Sequence, residues 1–269
     1  MIDGALPYLR CPVCEDTVAR DGEWTLRCPR GHSYDIARQG YVNLTRGRTP
    51  HSGDSAGMVE ARAAFLAAGH YAFIAAALAA AARRAAGPVV DAGTGTGHYL
   101  SGVLDALPGT VGIGLDVSKP ALRRAARAHP RAAAVLADLW QPLPIADHAA
   151  GLLLNVFAPR NGPEFHRILH PDGRLLVVTP AADHLRELIG SYRLIRVDPD
   201  KAHRVVRSLG RHFAVTGTET HRARLRLSGG ELRTLIGMTP SARHVDPAGL
   251  PDTGAEVTAA VEVTGYRPR

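Results

Sequence analysis

The stretch "VVDAGTGTG", residues 89–97, decides the fold of this 269-residue chain. An apolar segment ends in an acid, and glycines then alternate with other residues. Such glycines let a backbone approach a ligand closely, and a helix that begins behind them offers free amides. His98 stands where the dinucleotide fingerprint G-x-G-x-x-G requires its third glycine. The pattern D-x-G-x-G-x-G therefore indicates a ligand loop whose candidate residues are Asp91, Gly93, Gly95 and Gly97.

Strands and helices alternate after Pro88. Apolar runs predict strands near residues 89–92, 111–115, 132–137, 151–156 and 174–179, with helices beginning near Gly97, Ser118 and Gly162. Short apolar strands separated by helices are typical of a parallel sheet covered on both faces. Two later segments, "HRARLRLSGG" and "AEVTAAVEVTGY", predict an antiparallel pair that closes the sheet. The predicted fold is α/β with a Rossmann-like doubly wound sheet.

Two further carboxylates follow strands of this sheet. Asp116 ends the strand in "GIGLDVS", where a carboxylate accepts two hydrogen bonds from a ribose diol. Asp138 follows the next strand, in "VLADLWQPLP". Because the carboxyl ends of parallel strands face one crevice, we expect both acids beside the glycine loop. The plainer alternatives are a helix N-cap near Ser118 and a turn residue.

The N-terminal segment "CPVCEDTVARDGEWTLRCPRGH", residues 11–32, has the spacing C-x2-C-x13-C-x3-H and uses all three cysteines of the chain. An odd number of cysteines cannot all pair, and this spacing favours metal ligation in a reducing compartment. Four protein ligands fill a tetrahedral zinc ion and leave no open position for an activated water. The cluster is therefore predicted to be structural; a disulfide or a coincidence is the alternative.

A shift in composition divides the chain. Residues 1–45 hold the cysteines and short strand-like segments such as "EWTLRC", and predict a zinc ribbon. Residues 46–57 are rich in Gly, Ser and Pro and predict a linker, in which Asp54 or Ser55 caps the following helix. Residues 58–269 form the larger domain, with a helical lead-in over 58–87 and the Rossmann-like core over 88–269.

The chain carries a net charge of +7 and has a pI of about 9.8, which favours a polyanionic partner. Residues 186–226 contain ten Lys or Arg against four Asp or Glu, so a basic surface is expected there; a solvated helical face is the alternative. No signal peptide and no run of about 20 apolar residues is recognisable. We therefore expect a cytoplasmic protein without a membrane anchor.

The glycine loop resembles the first motif of class I S-adenosylmethionine-dependent methyltransferases. This resemblance implies that the loop wraps the amino-acid end of the cofactor and that Asp138 lies against the adenine amino group. It also implies that "LLLNVFAPRNG", residues 152–162, touches the substrate. Asn155 is then a candidate residue of the acceptor pocket, and Arg160 a candidate contact for a phosphate or base; a plain turn at Pro159 is the alternative.

Several segments together resemble the bacterial family of 23S rRNA (guanine-N1)-methyltransferases. They cover nearly the whole chain and are "CPVC", "CPRGHSYDIARQGYVNL", "GDSAGMVEARAAFLAAGHY", "DAGTGTGHY", "GLDVSKPALRRAARAHP" and "VTPAADHLREL". The resemblance implies methylation of a guanine in the domain II hairpin of 23S rRNA. Some members of the family confer resistance to tylosin-like macrolides, so it also implies antibiotic resistance.

The resemblance assigns residues as well. It implies one structural zinc per chain, S-adenosylmethionine as cofactor, and a homodimer that forms a cleft for the RNA, with the ribbons contributing to recognition. The matching zinc ligands are Cys11, Cys14, Cys28 and His32. The matching cofactor contacts are Tyr71, Gly95, Thr96 and His184. From the residues alone, Tyr71 is equally suited to a helix core and His184 to the surface.

The reaction requires a base. Guanine N1 carries a proton at neutral pH and is paired in a duplex, so the base must leave the helix and lose that proton. Asp54 in the "GDS" segment is the candidate general base, with a helix cap as the alternative role. Two other functions remain open: a class I methyltransferase that acts on a small molecule or a protein, and a non-catalytic zinc-ribbon RNA-binding protein.

Overall fold

The computed structural model describes residues 2–47, 51, 53–83, 85–192, 208–243, 245–246, 249 and 252–269. The helices in this part of the chain are α1 (Ile2–Ala5), α2 (Ala56–Ala67), α3 (Ala72–Ala82), α4 (His98–Ala106), α5 (Lys119–Ala125), α6 (Gly162–Ile168), α7 (Arg186–Tyr192) and α8 (Gly229–Gly237). The strands are β1 (Ala19–Arg20), β2 (Thr25–Arg27), β3 (Ser33–Asp35), β4 (Tyr41–Asn43), β5 (Val89–Ala92), β6 (Gly112–Asp116), β7 (Ala132–Leu136), β8 (Ala150–Val156), β9 (Leu169–Pro180), β10 (Phe213–Leu227) and β11 (Ala255–Pro268).

Eight strands form the main sheet, in the order β10-β11-β9-β8-β5-β6-β7-β4. The pairs from β9 to β4 are parallel, whereas β11 runs antiparallel to both β9 and β10. The predicted α/β fold, its five parallel strands and its closing antiparallel pair are confirmed. The strand order reverses between β5 and β8, and this switch point is where a doubly wound sheet opens a crevice for a ligand.

The apolar faces of the strands explain why helices cover both sides of the sheet. Every residue of β5, β7 and β8 is buried. One apolar cluster packs α3, α4 and α8 against one face, and a second packs α6 and the N-terminal region against the other. Continuous burial of this kind fixes the strand ends, and therefore the loops that follow them, in place.

The lead-in before the sheet is two helices, where the sequence pattern predicted one continuous helix. The hydroxyl of Ser55 caps α2 by accepting a hydrogen bond from the Met58 amide at 3.3 Å. The chain then turns by 78° between α2 and α3. Gly69 lies at the break with φ +83°, a left-handed conformation that favours glycine. The turn aims Tyr71 back at the sheet.

Among the described helices, none is individually long and apolar enough to span a membrane, although α2 and α3 taken as a bent pair meet the length and composition test.

The N-terminal region shares a core with the sheet. Strands β1, β2 and β3 form a separate small antiparallel sheet, but β4 pairs in parallel with β7 at the edge of the main sheet. A bridge between Leu9 and Ile145 adds a second connection. Cys11 and Cys28 belong to the same apolar cluster as Val135 of β7. The zinc-ribbon region is therefore packed against the larger domain.

The basic stretch over residues 186–226 is described only in part, since residues 193–207 lie outside the described residues. In the described part, arginines of β10 face acids: Arg222 lies 3.1 Å from Asp183, and Arg224 lies 2.7 Å from Glu256. Arg226 approaches Glu256 as well, at 3.6 Å. The charge of this strand is thus largely balanced by its neighbours.

Candidate active site

A cavity of about 720 Å³ opens at the carboxyl ends of β5, β6, β7 and β8. It is lined by eight of the residues that the sequence singled out: Asp54, Tyr71, Gly93, Gly95, Thr96, Asp116, Asp138 and His184. Four other predicted residues do not line it: Asp91, Gly97, Asn155 and Arg160. The first three lie beneath the loops that do, so their contribution is to the shape of the site.

The glycine loop is closely packed against its neighbours. Gly93 has φ +89°, and a Cβ there would lie 2.3 Å from the Cβ of Ala158. Gly97 has φ +81°, and its Cβ would lie 2.9 Å from the Cβ of Ala128. Both separations are shorter than carbon atoms tolerate. The first glycine therefore brings the loop against the turn after β8, and the last one lets α4 pack on the residues that follow α5.

Asp91 supports this loop from below. Its side chain is buried, and burial raises the pKa of Asp91 to about 7, with the charge of Asp116 acting in the same direction. Oδ1 of Asp91 and Oγ1 of Thr94 are buried and make no hydrogen bond of standard geometry within the described part of the chain, although Thr94 lies close enough to Asp91 to oppose the rise in its pKa. Buried polar atoms of this kind are rare in native proteins and mark a place where a ligand group or water belongs.

The raised pKa of Asp91 predicts a pH-dependent stability. The folded value of about 7 exceeds the ordinary value of 3.8, so the Asp91 contribution to stability is fully present below about pH 4 and is lost as the pH rises to about 7. The wild type should therefore lose melting temperature between pH 5 and pH 8. Asp91→Asn, which cannot titrate, should lose about 5 °C less over the same range, since 1 kcal/mol of stability corresponds to about 2–4 °C for a protein of this size. Thermal unfolding monitored by circular dichroism measures this. Parallel curves for the two proteins would contradict it.

Asp116 holds the glycine loop and the start of α5. Its Oδ2 accepts a hydrogen bond from the Gly95 amide at 2.8 Å, and its Oδ1 accepts one from the Ser118 amide at 2.8 Å. Burial raises the pKa of Asp116, while these two donors oppose the rise. The residue is half-buried and lines the cavity, so lone pairs of the carboxylate remain available to a diol.

Asp138 marks the other side of the cavity. It is buried, with Oδ1 accepting from the Trp140 amide at 3.0 Å and Oδ2 accepting from Nδ1 of His51 at 2.8 Å. The His51 ring lies 6.2 Å from the Trp140 ring, which is 52% exposed and also lines the cavity. His51 and Trp140 were not predicted from the sequence. A histidine in a polar linker carries no local signal, although Trp140 stands only two residues after Asp138.

Tyr71 and His184 meet at the opposite end. The Tyr71 hydroxyl lies 3.4 Å from Nε2 of His184. The Ala260 amide donates to Nδ1 of His184 at 3.1 Å, so a neutral ring carries its proton on Nε2. Burial raises the pKa of Tyr71 well above its usual value. Together these contacts bring the end of the α2–α3 turn and the end of β9 to the same wall.

Asp54 forms an ion pair inside the cavity. Its Oδ2 lies 2.5 Å from Nη1 of Arg62, whose Nη2 donates to the Met238 carbonyl at 3.0 Å. The Asp54 carbonyl also accepts from the Ser118 hydroxyl at 2.8 Å. Asp54 is therefore a cavity residue, with Ser55 as the helix cap. Sequence reasoning missed Arg62, although it lies within the segment "GDSAGMVEARAAFLAAGHY" that carried the family resemblance.

Asn155 and the turn after β8 form a rigid unit. Nδ2 of Asn155 donates to the carbonyls of Ala92 at 3.0 Å and Pro159 at 2.9 Å. The next residue but one, Phe157, has φ +52°, which costs a non-glycine residue on the order of 1–3 kcal/mol. Arg160 lies outside the cavity, with buried Nε and Nη2 atoms that have no partner in the described part of the chain.

The cysteine cluster assembles as the spacing predicted. The ligand atoms of Cys11, Cys14, Cys28 and His32 all lie within 4.8 Å of one another. Sγ of Cys14 and Sγ of Cys28 are 3.6 Å apart, and Nδ1 of His32 lies 3.6 Å from Cys11 Sγ and 3.3 Å from Cys28 Sγ. Tetrahedral zinc requires about 3.8 Å between two sulfurs and about 3.6 Å between sulfur and nitrogen. The arrangement therefore fits zinc bound through Nδ1 of His32.

Tyr34 completes the surroundings of this cluster. Its hydroxyl lies 2.9 Å from Sγ of Cys11. Burial raises the pKa of the Cys11 thiol, but hydrogen bonds from Tyr34 and from nearby backbone amides together lower it to about 6. A thiolate is the form that binds zinc. The cluster lies apart from the cavity, so its zinc supports the fold of the ribbon and leaves the reaction to other residues.

The sheet order, the glycine loop and the acids after β6 and β7 define a class I S-adenosylmethionine-dependent methyltransferase. The close-packed glycines of the loop and the buried Thr94 hydroxyl in the cavity lining fit the amino-acid end of that cofactor. A solved chain from the complex of the Haloferax volcanii Trm112 methyltransferase activator with a provisionally assigned methyltransferase has the same fold. Its TM-score is 0.52, and it is 17% identical over 81% of this chain and all of its own length.

Sequence comparisons identify the family. Residues 9–46 match the zinc-ribbon family described as "RlmA, N-terminal". A Micromonospora griseorubida protein assigned provisionally as a 23S rRNA (guanine-N(1)-)-methyltransferase is 56% identical over 98% of both chains. The 23S rRNA (guanine(748)-N(1))-methyltransferase of Streptomyces fradiae is 51% identical over 96% of this chain and 93% of its own. This chain belongs to the family of 23S rRNA (guanine-N1)-methyltransferases.

Proposed function

We propose that this protein transfers the methyl group of S-adenosylmethionine to N1 of a guanine in the domain II hairpin of 23S rRNA. The observation that carries the proposal is the cavity itself, because its walls combine the glycine loop and acids of a methyltransferase with the segment over residues 53–71 that distinguishes this family. The proposal is also supported by the Micromonospora griseorubida relative, to which more than half of the residues are identical.

The cofactor residues follow from their places in the cavity. Asp116 binds the ribose diol, and Asp138 accepts from the adenine amino group after exchanging its bond to His51. The loop residues Gly93, Gly95 and Thr96 enclose the amino-acid end, and Asp91 and Gly97 hold that loop in shape. Tyr71 and His184 close the same end. S-adenosylmethionine supplies a methyl group activated by its sulfonium charge.

Asp54 is the proposed general base for the N1 proton. Of the three carboxylates that line the cavity, Asp116 and Asp138 are assigned to the cofactor, which leaves Asp54. Arg62 fixes its carboxylate. Asn155 supports the acceptor side by holding the turn after β8.

The zinc ribbon is proposed to contribute to RNA recognition. The protein is further proposed to act as a cytoplasmic homodimer and to confer macrolide resistance on its host, as the family resemblance implies. Light scattering of the purified protein and growth of a macrolide-sensitive strain expressing it test these two statements separately.

Primer extension on 23S rRNA tests the proposed reaction. Methylation at N1 blocks base pairing, so we expect a reverse-transcription stop at one domain II guanine after incubation with protein and S-adenosylmethionine, and none without the cofactor. Binding of the hairpin should also weaken steeply with salt, by about tenfold or more between 50 and 200 mM. An unmodified hairpin alongside methylation of a small molecule or a protein would overturn the proposal.

A further inference from the structure

Phe157 combines two features that do not help this chain to fold. Its φ of +52° is one that glycine adopts freely and phenylalanine does not, and the residue is 39% exposed and lines the cavity. A strained backbone that presents an apolar ring to a cavity is a reason to look for a ligand of that ring.

The surrounding contacts hold Phe157 in this conformation. Its amide donates to the Val178 carbonyl at 3.2 Å, and Asn155 ties the far end of the turn to the Pro159 carbonyl at 2.9 Å. Ala158 sits against Gly93, where a Cβ would approach to 2.3 Å. The backbone that carries the ring is therefore held in place before any ligand enters.

Among the described residues, two exposed aromatic side chains line the cavity, and they stand at different ends. Trp140 lies beside His51, the partner of Asp138, and so belongs to the end assigned to adenine. The Phe157 ring lies 6.3 Å from that of His184, at the end closed by Tyr71. A second flat ligand, distinct from adenine, fits against Phe157.

We infer that Phe157 is the stacking surface for the target guanine once that base has left the RNA helix. The inference rests on the proposed function and adds a substrate-binding residue to it. Bases stack on aromatic rings irrespective of their sequence, which keeps an extruded base in place. Because the backbone that carries the ring is held in advance, stacking restricts the motion of the base, and N1 stays oriented toward the reacting methyl group.

The experiment compares Phe157→Ala, Phe157→Leu and Phe157→Tyr with the wild type. A hairpin that carries 2-aminopurine in place of the target guanine reports base extrusion by its rise in fluorescence, and methylation of the normal hairpin gives kcat/KM. We expect Phe157→Ala and Phe157→Leu to abolish the fluorescence rise and to lower kcat/KM by about 5- to 100-fold, the range for loss of one base–aromatic stack. Phe157→Tyr should retain both.

Trp140→Ala is the matched control, since Trp140 is an exposed aromatic residue of the same cavity. This variant should bind S-adenosylmethionine more weakly in calorimetry and keep the fluorescence rise. The Phe157 variants, in contrast, should bind the cofactor as the wild type does. Melting temperatures of Phe157→Ala and Phe157→Leu at or above that of the wild type would show that folding is intact.

Three outcomes would overturn the inference. Phe157→Ala could keep both the fluorescence rise and kcat/KM while the wild type methylates the hairpin, in which case the inference alone fails. Phe157→Ala could weaken cofactor binding as much as Trp140→Ala does, which would place the Phe157 ring in the cofactor site. If the wild type binds S-adenosylmethionine but leaves the hairpin unmethylated, the proposed function fails and the inference fails with it.

Discussion

Replacement of Asp116 by alanine should weaken S-adenosylmethionine binding by about 100-fold or more, because each hydrogen bond to a charged group contributes about 1.5–3 kcal/mol. The carboxylate has two separate roles in the structure. It is proposed to accept from the ribose diol of the cofactor, and it already accepts from the amides of Gly95 and Ser118 at 2.8 Å each. Its loss therefore removes a ligand contact and frees the loop that encloses the ligand. Calorimetry with the cofactor measures the effect.

Two further variants separate these roles. Asp116→Asn keeps one acceptor oxygen and should lose less affinity than Asp116→Ala. Asp105→Ala removes an acid of α4 whose side chain is 72% exposed, and it should bind the cofactor like the wild type. If Asp116→Ala binds the cofactor within about threefold of the wild-type affinity, a difference of about 0.7 kcal/mol, Asp116 is not a cofactor residue.

The parts of this site that the sequence predicted are those in which one local pattern determines one local structure. The glycine loop follows β5 directly, and Asp116 and Asp138 follow the next two strands, so the parallel sheet alone brings them to one cavity. The cysteine spacing likewise predicted a cluster that the structure assembles. In each case a few neighbouring residues carry the whole signal.

The missed features depend on contacts between distant segments. His51 reaches Asp138 across 87 residues, and Arg62 reaches the Met238 carbonyl across 176. The break at Gly69 was missed because a single glycine in an alanine-rich run is tolerated within helices. The left-handed φ of Phe157 is imposed by packing against Gly93 and β9, which no local pattern of apolar residues reveals.

Replacement of Cys14 by alanine should abolish zinc binding and weaken the affinity for the RNA hairpin by at least about tenfold, or about 1.4 kcal/mol. Cysteine thiolates supply most of the affinity of such sites, and binding free energies of about 10–16 kcal/mol fold comparable zinc peptides. Cofactor binding should fall by less than about threefold, or about 0.7 kcal/mol, since none of the residues assigned to it belongs to the cysteine cluster. Zinc content, RNA binding and cofactor calorimetry measure the three effects.

The packing of the ribbon makes this separation a demanding test. Cys11 and Cys28 are buried in the cluster they share with β7, whereas Cys14 is only half-buried, so Cys14→Ala is the cysteine change that disturbs this shared core least. Val13→Ala is the matched control, because Val13 is 50% exposed beside the same ligand and should keep zinc and RNA binding. Joint loss of RNA and cofactor binding in Cys14→Ala would mean that zinc stabilises the sheet edge through β4 as well. In that case the ribbon would be a structural part of the methyltransferase domain, and its contribution to RNA recognition would have to be sought in exposed residues away from the zinc ligands, such as Trp24.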